Sequence, residues 1–424
     1  MSSDFRPEKN VTREIVSLKD ISDYVSVKTS VTELTLDNYI STENMLPNKE
    51  GITLSSGLPN ANLTTAYNSN DILVSNIRPY FKKIWFAKSD GGCSNDVLVL
   101  RAKSNCLPEF LFYALSEDAF FDYSTSTSKG TKMPRGDKTA IMNYNLNFPN
   151  LSEQKQIVSI LSSLYEKIEL NNKINDNLEQ IAQAIFKSWF IDFEPFNDEK
   201  FVESELGLIP EGWKIGTLSK MILTNIGGDW GKEKIGGNYT EEVYCIRGAD
   251  LPDIKKGNSG KMPTRFILPQ NLKNKKLFPG DLVVEISGGS PTQSTGRIAL
   301  ISSSLLNRFK KDMVCTNFCK AMKPVANYSN FVYYYWQNLY IENRMFSYEN
   351  GTTGIKNFDI TSFLNGEIII IPPFEFVQKF DETIIGISKI IFDNSLQSEK
   401  LRMLRDSLLP KIMSGEINVS QVKI

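Results

Sequence analysis

The chain repeats part of its own sequence once, and this repeat constrains its architecture more than any other feature. Residues 70–74 (Asn-Asp-Ile-Leu-Val) match residues 280–284 (Gly-Asp-Leu-Val-Val), and in both copies a turn pair precedes an apolar strand. Residues 110–113 (Phe-Leu-Phe-Tyr) match residues 331–334 (Phe-Val-Tyr-Tyr) at a similar offset. The offset grows slowly along the chain, which indicates loop insertions into one of two related domains. The sequence therefore predicts two similar globular halves.

A coiled-coil pattern follows each half. In the first pattern, apolar positions are spaced alternately by four and three residues, and only Asn171 and Asn175 interrupt them. Adding 223 to each position gives a second pattern with polar residues in the same two layers. Two long helices that pair with each other explain this better than two separate amphipathic surface helices, which are the alternative. The predicted seam comprises Ile157, Leu161, Asn171, Asn175, Trp189, Phe380, Ile384, Asn394, Ser398 and Ile412.

The polar layers also limit how the helices can pair, because a buried Asn needs a polar partner. A parallel pair and an antiparallel pair would both align the two layers, so the residues alone leave the direction open. Pro410 should kink or end the second helix near its far end. The facing pairs of the antiparallel arrangement would be Asn171 with Ser398, Asn175 with Asn394, Ile157 with Ile412, and Trp189 with Phe380.

Short strand patterns mix with short helical patterns in both halves, which indicates the α+β class. We expect a globular half at 1–149, a long helix at 150–194, a second globular half at 195–373 and a second helical segment at 374–424.

The composition excludes most catalytic mechanisms. The chain has no histidine, which removes Ser-His-Asp catalysis, Cys-His catalysis and His-ligated zinc. Its five cysteines include one close pair and no second pair to complete a metal site, so we expect reduced thiols and no metal. A phosphate-binding loop motif is absent, and residues 371–374 (Ile-Pro-Pro-Phe) lack the Asn or Asp acceptor of amino-group DNA methyltransferases. We therefore expect no catalytic residues and a chain that is not itself an enzyme.

The sequence also argues against export and membrane insertion. Residues 1–10 carry charges where a signal peptide needs an apolar stretch, and the longest apolar runs are too short to span a bilayer. We therefore expect a cytoplasmic protein that makes no membrane contact.

Local basic patches are the remaining functional signal. The formal net charge is −1, from 48 basic and 49 acidic residues, so no overall positive field attracts DNA. Residues 229–276 nevertheless hold ten basic and six acidic residues among Gly, Asn and Ser. Lys suits contacts to phosphate, and Arg also suits contacts to base edges, with solvated surface as the alternative. The candidate DNA-binding residues are Arg78, Lys82, Lys129, Lys132, Arg135, Lys232, Lys255, Lys256, Lys261 and Arg265.

Several motifs resemble those of a known family. Residues 148–158 (Phe-Pro-Asn-Leu-Ser-Glu-Gln-Lys-Gln-Ile-Val), 171–175 (Asn-Asn-Lys-Ile-Asn) and 185–190 (Ile-Phe-Lys-Ser-Trp-Phe) look like the central region of the specificity (S) subunit of type I restriction-modification systems. Residues 209–213 (Ile-Pro-Glu-Gly-Trp) resemble the entry to that family's second target recognition domain. The second half departs from the pattern at residues 374–378, where Phe-Glu-Phe-Val-Gln replaces Leu-x-Glu-Gln.

The resemblance implies an antiparallel pair of spacer helices and two target recognition domains, each of which recognises half of a bipartite site in double-stranded DNA. It also implies docking of two methylation subunits and, through them, of restriction subunits. S-adenosylmethionine, ATP and Mg²⁺ would bind to those partners, with no cofactor in this chain. The alternative is a coiled-coil scaffold whose globular halves bind proteins and not DNA.

Overall fold

The computed structural model describes residues 13–289, 293–351 and 356–419. The outer ends of the segments expected at 1–149 and 374–424 lie outside these ranges. Two long helices, Leu151–Phe190 and Phe374–Ser414, follow the two globular halves. The chain forms two compact units: unit 1 contains the residues up to Lys167 and those from Leu401 onward, and unit 2 is Ile168–Lys400. Each unit therefore takes one globular half together with part of each long helix.

Unit 1 is built mainly from short strands with a few short helices. Its helices are Leu18–Ile21, Pro108–Leu115, Asp118–Ser126 and Lys138–Met142, with 3-10 turns at Val31–Glu33 and Pro79–Phe81. Its strands are Glu14–Ser17, Ser22–Tyr24, Lys28–Ser30, Tyr39–Ile40, Leu63–Tyr67, Ile72–Ser75, Ile84–Phe86, Gly91–Cys93, Val97–Ala102 and Asn145–Phe148.

Unit 2 has the same mixed composition. Its short helices are Leu251–Lys255, Pro269–Lys275, Ser303–Asn307, Ser329–Ile341 and Ile360–Gly366, with 3-10 turns at Glu194–Phe196, Leu218–Met221, Gly248–Asp250 and Arg344–Tyr348. Its strands are Phe201–Ser204, Gly207–Pro210, Lys214–Thr217, Ile222–Gly227, Glu241–Ile246, Thr264–Ile267, Leu282–Glu285, Ser287–Gly288, Ile298–Leu300, Met313–Cys315, Cys319–Pro324, Glu349–Asn350, Lys356–Phe358 and Ile368–Ile371.

The repeat in the sequence is also a repeat in sheet topology. In each unit the apolar strand of the repeat (Ile72–Ser75 or Leu282–Glu285) is an inner strand of an antiparallel four-stranded sheet. In chain order among themselves, the strands of both sheets are arranged first, last, second, third. In each unit, the strand just before the long helix pairs with a strand near the start of the globular half. The pairs are Asn145–Phe148 with Glu14–Ser17 in unit 1 and Ile368–Ile371 with Lys214–Thr217 in unit 2. The remaining sheets differ between the units, so the repeat preserves a common framework and not the whole domain.

The polar layers in unit 2 settle the direction of the helix pair. The Asn171 amide donates to Ser398 Oγ at 3.1 Å, and the Asn394 amide donates to Asn175 Oδ1 at 3.0 Å. Asn175 also donates to the carbonyl of Ile391 at 3.1 Å. Because the partner number falls as the first helix advances, the pair is antiparallel. The α+β class and the antiparallel coiled coil are therefore confirmed, and the alternative of two unpaired surface helices is wrong.

Apolar residues of the seam pack within each unit. In unit 1, Ile157 and Leu161 share a buried cluster with Ile412. In unit 2, Phe380 and Ile384 are fully buried, and the ring of Trp189 lies 6.4 Å from that of Phe380, between centroids. These contacts agree with the antiparallel facing pairs.

The seam pattern misses two large side chains. Phe186 and Phe190 are fully buried, whereas Trp189, on the predicted seam, is only partly buried. Both phenylalanines contact Phe380 of the partner helix and also Phe331 of the globular part of unit 2. The helix therefore buries a wider face than a coiled-coil seam, because it packs against two neighbours.

The second long helix does not end at Pro410. The helix continues through this residue to Ser414, and the Pro410 side chain is exposed to solvent. The last carbonyls, those of Ile412 and Met413, accept hydrogen bonds from the Arg13 guanidinium at 2.7 and 2.6 Å. This side chain stabilises the final turn by satisfying carbonyls that a helix end leaves unpaired.

In the part of the chain that the structure describes, no helix is long and apolar enough to cross a membrane.

We expect Asn175→Ala to lower the free energy of unfolding by about 1–3 kcal/mol, because the Asn394 amide and the Ile391 carbonyl would lose a buried partner. Asn172→Ala, an exposed neighbour on the same helix, is the matched control and should change it by less than about 0.5 kcal/mol. Chemical denaturation of the full chain, followed by far-UV circular dichroism, measures both. Equal effects of the two substitutions would contradict a stabilising role for the polar layer.

Candidate nucleic-acid interface

Two loops of unit 1 form what we call the cationic loop pair, residues 76–83 and 128–138. They are joined through their backbones: the Arg78 amide donates to the Pro134 carbonyl at 2.8 Å, and the Gly136 amide donates to the Asn76 carbonyl at 3.0 Å. Within the second loop, the amides and carbonyls of Lys129 and Arg135 bond to each other at 2.8 and 2.9 Å. The structure thus brings together the candidates of the first half.

Gly136 packs closely against neighbouring side chains. A Cβ atom there would lie 2.9 Å from Asn76 Oδ1 and 2.9 Å from Ile141 Cδ1. Those distances are shorter than van der Waals contact, so a larger residue at this position would require the Asn76 and Ile141 side chains to move.

The cations of the pair have different partners. Lys82 pairs with Asp118 at 2.9 Å, Lys129 with Asp137 at 2.5 Å, and Arg135 with Asp96 at 3.0 Å. The Lys132 side chain is exposed at the tip of the second loop. Exposed ion pairs of this kind contribute little to stability, so these cations can exchange their carboxylate for a phosphate at small cost.

The candidates of the second half separate into two groups. Lys232 and Arg265 lie together, because the amide and carbonyl of Lys232 bond to those of Phe266 at 2.9 Å. The Arg265 guanidinium carbon lies 3.7 Å from the ring centroid of Trp230, and its Nη1 lies 3.1 Å from Glu233. Arg265 is only 8% exposed, so its side chain packs against Trp230 and presents little charge to solvent.

Lys255 and Lys256 contact the first long helix, and Lys261 belongs to neither group. Lys255 pairs with Glu179 at 3.4 Å, and Lys256 with Asp176 at 3.0 Å. Their ion pairs hold this loop against the helix, and DNA contact by these two lysines stays a prediction. Lys261 has an exposed side chain, while its backbone amide bonds to Asp250 at 3.0 Å.

Strand register identifies residues in unit 2 that the charge pattern missed. In unit 1, Arg135 pairs with both Ile77 and Lys129. In unit 2, Asn357 pairs in the same way with Ser287 and with Asn350. Asn357, Ser287 and Asn350 lie 222, 210 and 221 positions beyond Arg135, Ile77 and Lys129, within the 210 to 223 range of the offsets of the sequence repeat. We call residues 287–288 with 349–350 and 356–358 the neutral loop pair. The repeat offset, applied to Arg135, would have found it.

Comparison with known proteins finds relatives that are similar to this chain in sequence and in fold. Residues 10–180 match the type I restriction modification DNA specificity domain. The type I restriction enzyme MjaIX specificity subunit of Methanocaldococcus jannaschii is similar, with 27% identity over 329 residues that cover 76% of this chain and 71% of that protein. The HindI specificity subunit of Haemophilus influenzae is 25% identical over 410 residues, which cover 83% of this chain and 87% of that protein.

The chain is similar to the specificity subunits of type I restriction-modification systems. The crystal structure of such an S subunit from M. genitalium has the same fold, with a TM-score of 0.52, 16% identity, and coverage of 97% of this chain and 99% of that chain. These relatives are named specificity subunits, and the similarity supports the expectation of a recognition subunit that is not itself an enzyme.

The chain has buried, free cysteines. All five are unpaired thiols, and burial raises the pKa of each above its ordinary value. Reactive thiols need a lowered pKa, so these side chains act as core residues. Among the described residues, no three His, Cys, Asp or Glu side chains are grouped to hold a metal ion.

Carboxylates beside the cationic loop pair have shifted pKa values. The hydrogen bond from Lys129, followed by those from the Ala140 and Thr139 amides, lowers the pKa of Asp137. Burial would raise the pKa of Asp118, but hydrogen bonds from Lys82 and Lys49 outweigh it and lower that pKa. Burial raises the pKa of the adjacent Glu117 to about 7, with partial opposition from Lys49.

We expect Glu117→Gln to stabilise the chain at about pH 8 and to have little effect near pH 5. The folded pKa of about 7 exceeds the ordinary value of 4.5, so the unfolded chain releases this proton more readily, and stability falls as pH rises between those values. Because glutamine does not ionise, the substitution removes this loss of stability at high pH. Thermal unfolding midpoints at both pH values measure the effect, and Asp122→Asn, on the exposed side of the same helix, is the control. A gain of equal size at both pH values would contradict the assignment.

Proposed function

We propose that this chain is a specificity subunit that recognises a bipartite site in double-stranded DNA, with one half-site bound by each unit. The observation that carries the proposal is the equivalence of the cationic and neutral loop pairs. Two domains that share a sheet framework and vary in the loops attached to it are suited to recognising two different sequences with one architecture.

In unit 1, the cationic loop pair supplies the contacts. Seven basic residues and one acid, Asp137, lie in residues 76–83 and 128–138. Lys129 and Lys132 bind phosphate, which positions the domain on the duplex. Arg135, whose side chain is 57% exposed, has the fork geometry that pairs with guanine in the major groove.

In unit 2, the neutral loop pair contacts base edges. Asn350 and Asn357 carry amides that can donate and accept at once, which matches the edge of adenine. The Ser287 hydroxyl donates to Asn357 Oδ1 at 2.7 Å and so orients that amide. The ion pair between Lys356 and Glu349, at 2.7 Å, leaves this surface close to neutral. Lys232 and Lys261 then provide phosphate contacts at the second half-site.

The enzymatic steps belong to partner chains. We propose that two methylation subunits dock on the specificity subunit, that restriction subunits join through them, and that S-adenosylmethionine, ATP and Mg²⁺ bind to those partners. The absence of histidine supports this division, because the chain lacks the usual neutral-pH general base. The complex would act in the cytoplasm, where the DNA lies.

Substitutions in the two loop pairs should affect different half-sites. We expect Arg135→Ala to relax one base position of the first half-site, and Asn357→Ala to relax one position of the second, each by about 1–3 kcal/mol.

Lys132→Ala should weaken binding to all sequences and lower the salt slope by about one. The effects of all three substitutions are measured by selecting bound duplexes from a random pool. The chain is assembled with methylation subunits for this experiment.

Lys155→Ala and Asn307→Ala replace exposed residues outside the loop pairs and serve as controls. Relaxation of the same half-site by Arg135→Ala and Asn357→Ala would contradict the bipartite assignment. Salt-independent binding that none of the loop variants changes would favour the alternative function, a scaffold for partner proteins.

A further inference from the structure

Two aromatic side chains of unit 1 are exposed to solvent side by side. Tyr80 is 48% exposed and Phe81 is 39% exposed, and their ring centroids lie 4.8 Å apart. They belong to the 3-10 turn Pro79–Phe81 within the cationic loop pair. Neither packing within the core nor the phosphate contacts proposed above accounts for adjacent apolar rings at this position.

The turn that carries these rings is held firmly. The residues on either side, Arg78 and Lys82, both have left-handed backbones, with φ values of 49° and 52°. A non-glycine residue adopts this conformation at a cost that the surrounding structure must offset. The Phe81 carbonyl accepts from the Asn48 amide at 2.8 Å, the Lys82 carbonyl accepts from the Lys49 amide at 2.9 Å, and Pro79 is buried. The rings are therefore presented on a preorganised support.

The charged residues around the rings indicate the chemistry of the partner that the rings contact. Arg78, Lys82 and Lys83 flank them, and the backbone bond from Arg78 to Pro134 joins their turn to the loop that carries Lys132. A basic protein surface would be repelled here. A polyanion with flat apolar faces matches both the cations and the rings, and nucleic acid has that chemistry.

We propose that Tyr80 and Phe81 act as a wedge that inserts between neighbouring base pairs of the half-site bound by unit 1 and kinks the duplex there. Apolar side chains that enter a base step in this way unstack it and bend the DNA by about 20–90°. The inference rests on the proposed function. The corresponding connection in unit 2, residues 286–297, contains no aromatic residue, so only one half-site is distorted.

The test uses the full-length chain, assembled with its methylation subunits, and a duplex with its selected bipartite site. A donor dye and an acceptor dye flank one half-site, and energy transfer between them measures the kink on binding. A second duplex carries the dyes around the other half-site. We expect the parent chain to change energy transfer across the first half-site only.

Tyr80→Ala with Phe81→Ala should abolish the kink and weaken binding about tenfold or more, with no change in salt slope, because the rings carry no charge. Tyr80→Ala alone, at the more exposed ring, should reduce both effects even if the double variant folds poorly. Lys132→Ala should keep the kink and lower the salt slope. Leu63→Ala, a 61% exposed apolar residue of the same unit, should change neither.

The outcomes separate the wedge from the proposed function. Tight, sequence-specific binding without a kink, or a kink that survives in the double variant, would overturn the wedge alone. Normal DNA binding by a double variant that no longer assembles with methylation subunits would also overturn it and would assign the rings to a protein contact. Failure of the parent assembly to bind any duplex would overturn the proposed function, and the wedge with it.

Discussion

The side-chain amide of Asn175 fixes the arrangement of unit 2. It lies between the two long helices, donates to the Ile391 carbonyl and to Ser395 Oγ, and accepts from the Asn394 amide. Ser395 in turn donates to the Lys256 carbonyl at 2.7 Å, so the polar layer continues into a loop of the globular half. A shift of either helix by one turn would leave these buried groups without partners, at about 1–3 kcal/mol for each group. The helix register and the position of this loop therefore depend on the same hydrogen bonds.

The two helix N-termini are anchored to their globular halves by different chemistry. In unit 1, Gln154 is fully buried, accepts from the Leu107 amide at 2.9 Å and donates to the Pro149 carbonyl at 3.0 Å. The equivalent position of the second helix is Val377, which is also fully buried, and its neighbour Phe376 packs on Phe196 with ring centroids 4.7 Å apart. The departure of residues 374–378 from the family pattern thus exchanges a hydrogen-bonded anchor for an apolar one, and the two ends need not present the same surface to partners.

The repeat and the seam could be predicted from sequence because both are periodic, and periodicity follows directly from helix and strand geometry. The burial of Phe186 and Phe190 could not, since it depends on a tertiary neighbour, Phe331, more than 140 positions away. Local charge identified the cationic loop pair. It overlooked the neutral loop pair because Ser287 and Asn357 are uncharged. The strand register shows that they occupy the position of Ile77 and Arg135.

Electrostatics then distinguishes two domains that share one framework. The cationic loop pair carries seven basic residues and one acid, and it would draw its affinity from counterion release, which is insensitive to sequence. The neutral loop pair has little charge to release, so its binding energy must come from hydrogen bonds whose loss at a wrong base leaves amides unpaired. Under the proposed function, the neutral loop pair would contribute mainly discrimination, and Lys232 and Lys261 would supply the phosphate contacts of unit 2. Since a net charge of −1 gives no general attraction to the duplex, this division would confine tight binding to sites where both loop pairs are engaged.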